Sequence, residues 1–283
     1  MKLMVGCRLK YALPQPTCFH LQIQAAMTDG QIIEGEELII PASAHATGYE
    51  IYTHPANGTR AVRAVLGPGS VTIEYRARVT QQSDGVLPSL IKEVDFKDLP
   101  LDAIEYLLPS RYCASDMFID FAFKTFGPIE RGHGRVTAIC NWIHEHVAYE
   151  AGSTGPSSTS SDVFLARKGV CRDFAHLGIS ICRALGIPAR YASVYASAMS
   201  PQDFHAIFQA YLTGPNGGAW YSFDPTQMAS MDAIVRIACG RDAADVAFAW
   251  PQGEVEFEPP VVWAEAPSKT DTEQTELAIA AGS

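Results

Sequence analysis

The stretch KGVCRDFAHLGISICRALGIPAR, residues 168–190, sets one cysteine directly after a Gly-Val step and opens an apolar helical pattern that stops at Gly186-Ile187-Pro188. A thiol in the first turn of a buried helix can be a packed small hydrophobe, a metal ligand or a nucleophile. The position suits a nucleophile, because free N–H groups and the dipole at a helix start favour a thiolate. The same N–H groups can donate to an oxyanion. A lone cysteine is usually packed, however, so its partners decide.

His176 is close in sequence but badly placed: five residues along a helix is roughly 500°, about 140° away from Cys171 around the axis. That geometry also weakens a zinc site through this pair. His144 and His146, two apart near the end of another helix, read as surface or cap histidines. His205 differs. FHAIFQAYL alternates, with Phe204, Ala206, Phe208, Ala210 and Leu212 on one face and His205, Ile207, Gln209 and Tyr211 on the other; TGPNGG is a turn and AWYSFDP a returning strand. If Leu212 pairs with Ala219, Asp224 falls opposite Ile207, one diagonal step from His205, roughly 7–8 Å by backbone. A one-residue slip would send it to the other face.

Cys171, His205 and Asp224 together supply what thiol acyl transfer requires. A base pairs with the thiol, a carboxylate fixes the base's tautomer, and helix N–H groups stabilise the tetrahedral oxyanion. Zinc held by the same three residues is a third reading, after catalysis and a non-catalytic binding or scaffold role.

The elements that must position these groups are legible in part. Within Val170–Leu185, Phe174, Leu177, Ile181 and Leu185 form an apolar stripe, while Cys171, Ala175, Gly178 and Cys182 form a face of small residues. Small residues let a sheet approach closely, so this helix is expected at the centre. Val136, Ile139, Cys140, Ile143 and Val147 mark a second amphipathic helix. Ser115 or Asp116 is expected to cap a helix carrying Phe118, Phe121 and Ala122. Thr159 and Asp162 have the spacing of a capping box for a short helix ending at Gly169.

Residues 1–82 read in period two, as in TCFHLQIQA and SVTIEYRARVT, with further strand-like runs at Leu38–Ile40, Tyr49–Thr53 and Ala61–Leu66. They imply an antiparallel β-sandwich or meander without catalytic residues. Residues 83–113, broken by Pro88, Pro100 and Pro109, are expected to connect this domain to a catalytic domain at 114–263. Residues 264–283 are expected to form a mobile tail.

The composition narrows the class. With 47% hydrophobic and 18% charged residues the chain reads as soluble and globular. A net charge of −10 without a Lys/Arg cluster argues against nucleic-acid binding. Seven cysteines form no C-x-x-C and suggest neither a disulfide framework nor a zinc ribbon. No run is apolar enough to span a membrane, and Lys2, Arg8 and Lys10 interrupt a signal-peptide core, so a cytoplasmic location is expected.

RKGVCRDFAHLGISICRALGIPARY, the His205-Ala206 pair, WYSFDPT at 220–226 and ACGRDAADVA at 238–247 resemble the bacterial branch of the transglutaminase-like superfamily, in its cysteine peptidase-like form. The β-rich start resembles the domain that commonly precedes this core, so the resemblance covers most of the chain. It implies a papain-like α+β core, a cysteine-bearing helix packed on an antiparallel sheet, behind a β-sandwich. It also implies a Cys171-His205-Asp224 triad acting on peptide or protein amides, with no metal or organic cofactor. One departure stands out: relatives read HAWVEV where this chain reads HAIFQA, so Ile207 is expected to reshape the groove beside His205. Tyr149 is a candidate for the side-chain half of an oxyanion hole, a packed tyrosine being the commoner case. Arg241, Asp242 and Asp245 are expected to tie down the C-terminal segment. Hydrolysis needs no second specific site and leads the readings. A transglutaminase with an amine acceptor and a non-catalytic binding protein are the alternatives.

Overall fold

A computed structural model describes residues 1–41, 48–82, 85–197 and 199–266. The expected mobile tail lies almost wholly outside the described residues. Six strands come first: β1 (Lys2–Leu13), β2 (Thr17–Leu21), β3 (Gln31–Ile39), β4 (Tyr49–Thr53), β5 (Arg60–Leu66) and β6 (Gly69–Gln81). In β1, Leu3, Val5, Cys7, Leu9, Tyr11 and Leu13 are all buried, the signature of a strand with one face on the core. It pairs antiparallel with β6 along its whole length, from Lys2 opposite Thr80 to Leu13 opposite Gly69.

The middle of the chain supplies β7 (Lys92–Glu93), α1 (Ile119–Phe126), α2 (His133–His146), β8 (Ala148–Tyr149), α3 (Ser160–Ala166), β9 (Lys168–Gly169) and α4 (Cys171–Ala184). Then follow β10 (Ala189–Ala196), β11 (Phe204–Gly214), β12 (Gly217–Phe223) and β13 (Ile234–Gly240). These four strands form an antiparallel sheet in the order β12-β11-β10-β13, with β7 added beside β11. The chain closes with β14 (Ala249–Gln252), β15 (Glu256–Phe257) and β16 (Val261–Glu265). The fold is α+β: a cysteine-bearing helix on an antiparallel sheet, preceded by a β-sandwich.

The last three strands correct the expected division at 263. β15 and β16 both pair with β1, and β14 pairs with β2, so residues 249–265 complete the two sandwich sheets. Nor do the two lobes have separate cores. One continuous buried cluster runs from Leu3 to Ala264, and Ala26 donates to the Arg236 carbonyl at 2.8 Å across the junction. The alternation that ends the sandwich is only two to five residues long per strand, too short to read as an edge from sequence.

Two helix ends also differ from expectation. Ser115–Phe118 forms a 3₁₀ turn leading into α1, and no side chain caps that helix. The Thr159–Asp162 capping box is present, but α3 stops at Arg167, which adopts a left-handed φ of 56°. Stopping there frees Lys168–Gly169 to pair in parallel with Ala148–Tyr149.

α4 is buried from Asp173 to Arg183 and packs on β11. Its small face is where the sheet comes close: a Cβ at Gly178 would meet the Phe208 ring at 2.6 Å. Phe208 is fully buried and stacked on Phe223 at 5.6 Å, so it cannot give way. Alanine at 178 would gain about 1 kcal/mol of helix propensity, against about 1–3 kcal/mol for overpacking. Gly178→Ala is therefore expected to cost up to about 2 kcal/mol net, read as a lower urea midpoint at unchanged slope.

Candidate active site

Cys171 is the first residue of α4 and is partly exposed. The helix start is fixed by Asp173, whose Oδ2 accepts the Val170 N–H at 2.9 Å and the Thr154 hydroxyl at 2.5 Å. Arg172 pairs with Asp173 Oδ1 at 3.1 Å and donates to the Gly155 carbonyl at 2.8 Å, tying the preceding loop to the helix. Of the other cysteines, Cys7, Cys113, Cys140, Cys182 and Cys239 are buried, leaving Cys18 as the other partly exposed thiol. Burial pushes the Cys7 and Cys113 thiols up to about 12.

Leu212 does pair with Ala219 and Phe208 with Phe223, the register that sets Asp224 beyond Ile207. His205 Nε2 donates to Asp224 Oδ2 at 3.0 Å, and both side chains are buried. Asp224 is itself held by four further donors. Oδ1 accepts from the Thr226 N–H (2.9 Å) and hydroxyl (2.7 Å), and Oδ2 from the N–H groups of Met228 (3.1 Å) and Ala229 (2.9 Å). Burial favours the neutral carboxyl, but bonds from His205 and Thr226 hold Asp224 below its ordinary range. The Asp-Pro-Thr sequence is the signal for this cradle, since aspartate readily bonds its own backbone two residues on.

Burial also opposes a charged His205, yet its bond to Asp224 and the neighbouring Cys171 thiol outweigh it and raise the imidazole to about 9. With Nε2 occupied by Asp224, the nitrogen left for the thiol is Nδ1. No contact to Nδ1 meets hydrogen-bond limits in this resting geometry, although the thiol is near enough to help hold the ring's proton. Such contacts tighten when substrate arrives.

Tyr149 is half-exposed, at 45%, with its ring 5.8 Å from that of Phe174. Tyr149 pairs with Gly169, two residues before Cys171, which puts the tyrosine next to the start of α4. Burial and the neighbouring thiol push its hydroxyl up to about 12, so it stays protonated and able to donate.

The remaining expected residues fall elsewhere. Ile207 is fully buried in a cluster with Ala192, Val194, Met199, Ile234 and Cys239, so it does not border the groove as expected. His176 lies between Tyr112 and Tyr191, accepts the Ala243 N–H at 3.1 Å, and is lowered to about 4, chiefly by burial. His144 contacts the Thr226 carbonyl at 3.2 Å and His146 stacks on Trp142. Asp242 accepts the Tyr112 N–H at 2.9 Å, and Arg241 pairs with Asp245 at 2.9 Å, which ties down the segment after β13. Among the described residues no group of three or more His, Cys, Asp or Glu is arranged to hold a metal ion. No helix among them is long and apolar enough to cross a membrane.

A family model described as the transglutaminase-like superfamily matches residues 120–225, a span that contains Cys171, His205 and Asp224. The crystal structure of a putative cysteine protease from Cytophaga hutchinsonii is similar over 95% of this chain and 91% of that one, with 37% identity and a TM-score of 0.85. An uncharacterised protein of Mycobacterium leprae is 30% identical over 148 residues, 50% of this chain and 53% of that protein. One from Mycobacterium tuberculosis is 35% identical over 115 residues, 37% of each chain. The chain thus spans about half or less of the curated relatives it matches.

Proposed function

The chain belongs to the transglutaminase-like superfamily of thiol-dependent enzymes, and on that premise we propose that it hydrolyses peptide or side-chain amide bonds through Cys171, His205 and Asp224. The observation that carries the reading is the His205–Asp224 pair. It occupies one imidazole nitrogen with a carboxylate and leaves the other toward a partly exposed thiol at a helix start.

In this mechanism the Cys171 sulfur attacks the amide carbonyl, and the oxyanion accepts from the Cys171 N–H and the Tyr149 hydroxyl. His205 gives its Nδ1 proton to the departing amine, and a thioester remains on Cys171. His205 then removes a proton from water, water displaces the sulfur, and a carboxylic acid leaves as the thiol is restored. Asp224 keeps the Nε2 proton in place throughout and stabilises the imidazolium. The substrate is a peptide or protein in the cytoplasm.

The test is a digestion of casein in ¹⁸O-water with and without millimolar primary amine, read by mass spectrometry. New carboxylates carrying ¹⁸O, with or without amine present, are the expected products. Amine adducts in place of free acids would make the protein a transglutaminase. Neither product, with Cys171 unmodified, would make it a binding protein.

A further inference from the structure

A cavity of about 260 Å³ lies where the sandwich meets the sheet, and none of Cys171, His205, Asp224 and Tyr149 lines it. The turn at His54–Thr59 forms one wall; Tyr106, Arg190 and Trp220 form the other. Arg190 is 5% exposed, its guanidinium 4.1 Å from the Trp220 ring centroid. Its Nε donates to Gln209 Oε1 at 2.9 Å, and Tyr106 lines the cavity with it.

The other three buried arginines are better satisfied. Arg60 pairs with Glu36 and Arg135 with Glu93. Arg183 bonds the carbonyls of Ala189, Leu108 and Arg241. Among the described residues Arg190 alone of the four bonds neither a carboxylate nor a set of carbonyls, and an uncompensated buried charge is costly. Asp102 and Glu105, both exposed, stand at the rim, while Asp245 is already paired with Arg241. The floor is thus positive and the rim negative, beside one aromatic wall in which Tyr106 and Trp220 pack edge to face at 5.1 Å. A bare anion would meet repulsion at the rim, and a cation would meet Arg190. A zwitterion suits both ends.

We infer that this cavity binds a free amino acid, with its carboxylate on Arg190 and its ammonium toward Glu105 and Asp102. The inference is independent of the thiol chemistry. Because such a ligand touches both lobes, it stabilises the folded chain in proportion to its occupancy.

Calorimetric titration of the full chain carrying Cys171→Ala, which keeps amide probes intact, tests it with the common L-amino acids singly. At least one should bind, and its amide and its N-acetyl derivative should each bind about tenfold more weakly or worse. Inorganic phosphate should not compete. Arg190→Lys keeps the charge but loses the planar fork, and should weaken binding about tenfold or more. Should that variant fail to fold, Glu105→Gln, at an exposed position, should weaken the amino acid about threefold to tenfold and leave the N-acetyl form unchanged. No binding up to about 10 mM, equal binding of phosphate or the N-acetyl form, or affinity untouched by Glu105→Gln would overturn the assignment.

Discussion

Cys171→Ala is expected to lower amide hydrolysis by about 10⁴–10⁶ while the fold survives. The magnitude follows from removing the atom that forms the covalent intermediate, which no neighbour replaces: the buried thiols of Cys140 and Cys182 lie in the core. The stability cost should stay below about 1 kcal/mol, because a single sulfur lost from a partly exposed helix start leaves little cavity. The same substitution at Cys182, fully buried on α4, should show the reverse, with stability reduced and activity kept. His205 loses one of the two groups that raise it to about 9, so its pKa should fall in the Cys171→Ala protein. Residual activity within tenfold of the parent would assign the chemistry elsewhere.

Asp224→Asn should slow turnover by about 10–10³, and the hydrogen bonds explain both halves of its effect. Asp224 receives three donors on Oδ2 and two on Oδ1. Asparagine has one oxygen. If that oxygen faces His205 and the Met228 and Ala229 N–H groups, the tautomer is kept, and the amide NH₂ meets the Thr226 N–H. That leaves a buried donor unsatisfied at about 1–3 kcal/mol, so the variant should fold but melt lower. What chemistry loses is the negative charge beneath the imidazolium.

The pH profile carries the sign of that loss. His205 is raised from 6.5 to about 9, so its contribution to stability is full below 6.5 and disappears as the pH rises through about 9. The proton for the departing amine disappears over the same range, giving kcat/KM an alkaline limb near 9. In Asp224→Asn that limb should move to lower pH, and the thermal stability gained below it should shrink. Asp224 acts oppositely: held below its ordinary 3.8, it stabilises above that value and loses the contribution as the pH falls. An alkaline limb unmoved in Asp224→Asn, measured on kcat/KM from pH 6 to 10, would mean that the carboxylate does not set the base.

The β11–β12 register was readable because a Gly-rich turn leaves few ways to pair two alternating strands, and Leu212 opposite Ala219 fixes the rest. α4 was readable because a stripe of small residues has few uses other than close packing, here against Phe208. The cradle of Asp224 was not, although its Asp-Pro-Thr sequence was in plain view: main-chain N–H groups carry no residue identity. Tyr149 was named as a candidate, but its placement was not readable for a related reason. Its place beside Cys171 comes from a two-residue parallel pairing with Gly169, too short to leave a periodicity. The groove beside Ile207 was misjudged because β11 is buried on both faces, so alternation alone cannot say which side meets substrate. Completion of the sandwich by residues 249–265 depends on pairing with β1 and β2, more than 200 positions away in sequence, and local pattern does not encode partners.

The central claim is that His205 and Cys171 act as one unit. Its most direct test is the rate of iodoacetamide labelling at each cysteine, read by mass spectrometry of peptides between pH 5 and 9. Cys18, the other partly exposed thiol, is the internal reference. Cys171 should label about 10²-fold faster than Cys18 at pH 6, where an unassisted thiol is almost wholly protonated, and the excess should vanish in His205→Ala. Equal rates at the two cysteines in the parent protein, or an excess at Cys171 that survives His205→Ala, would contradict the account.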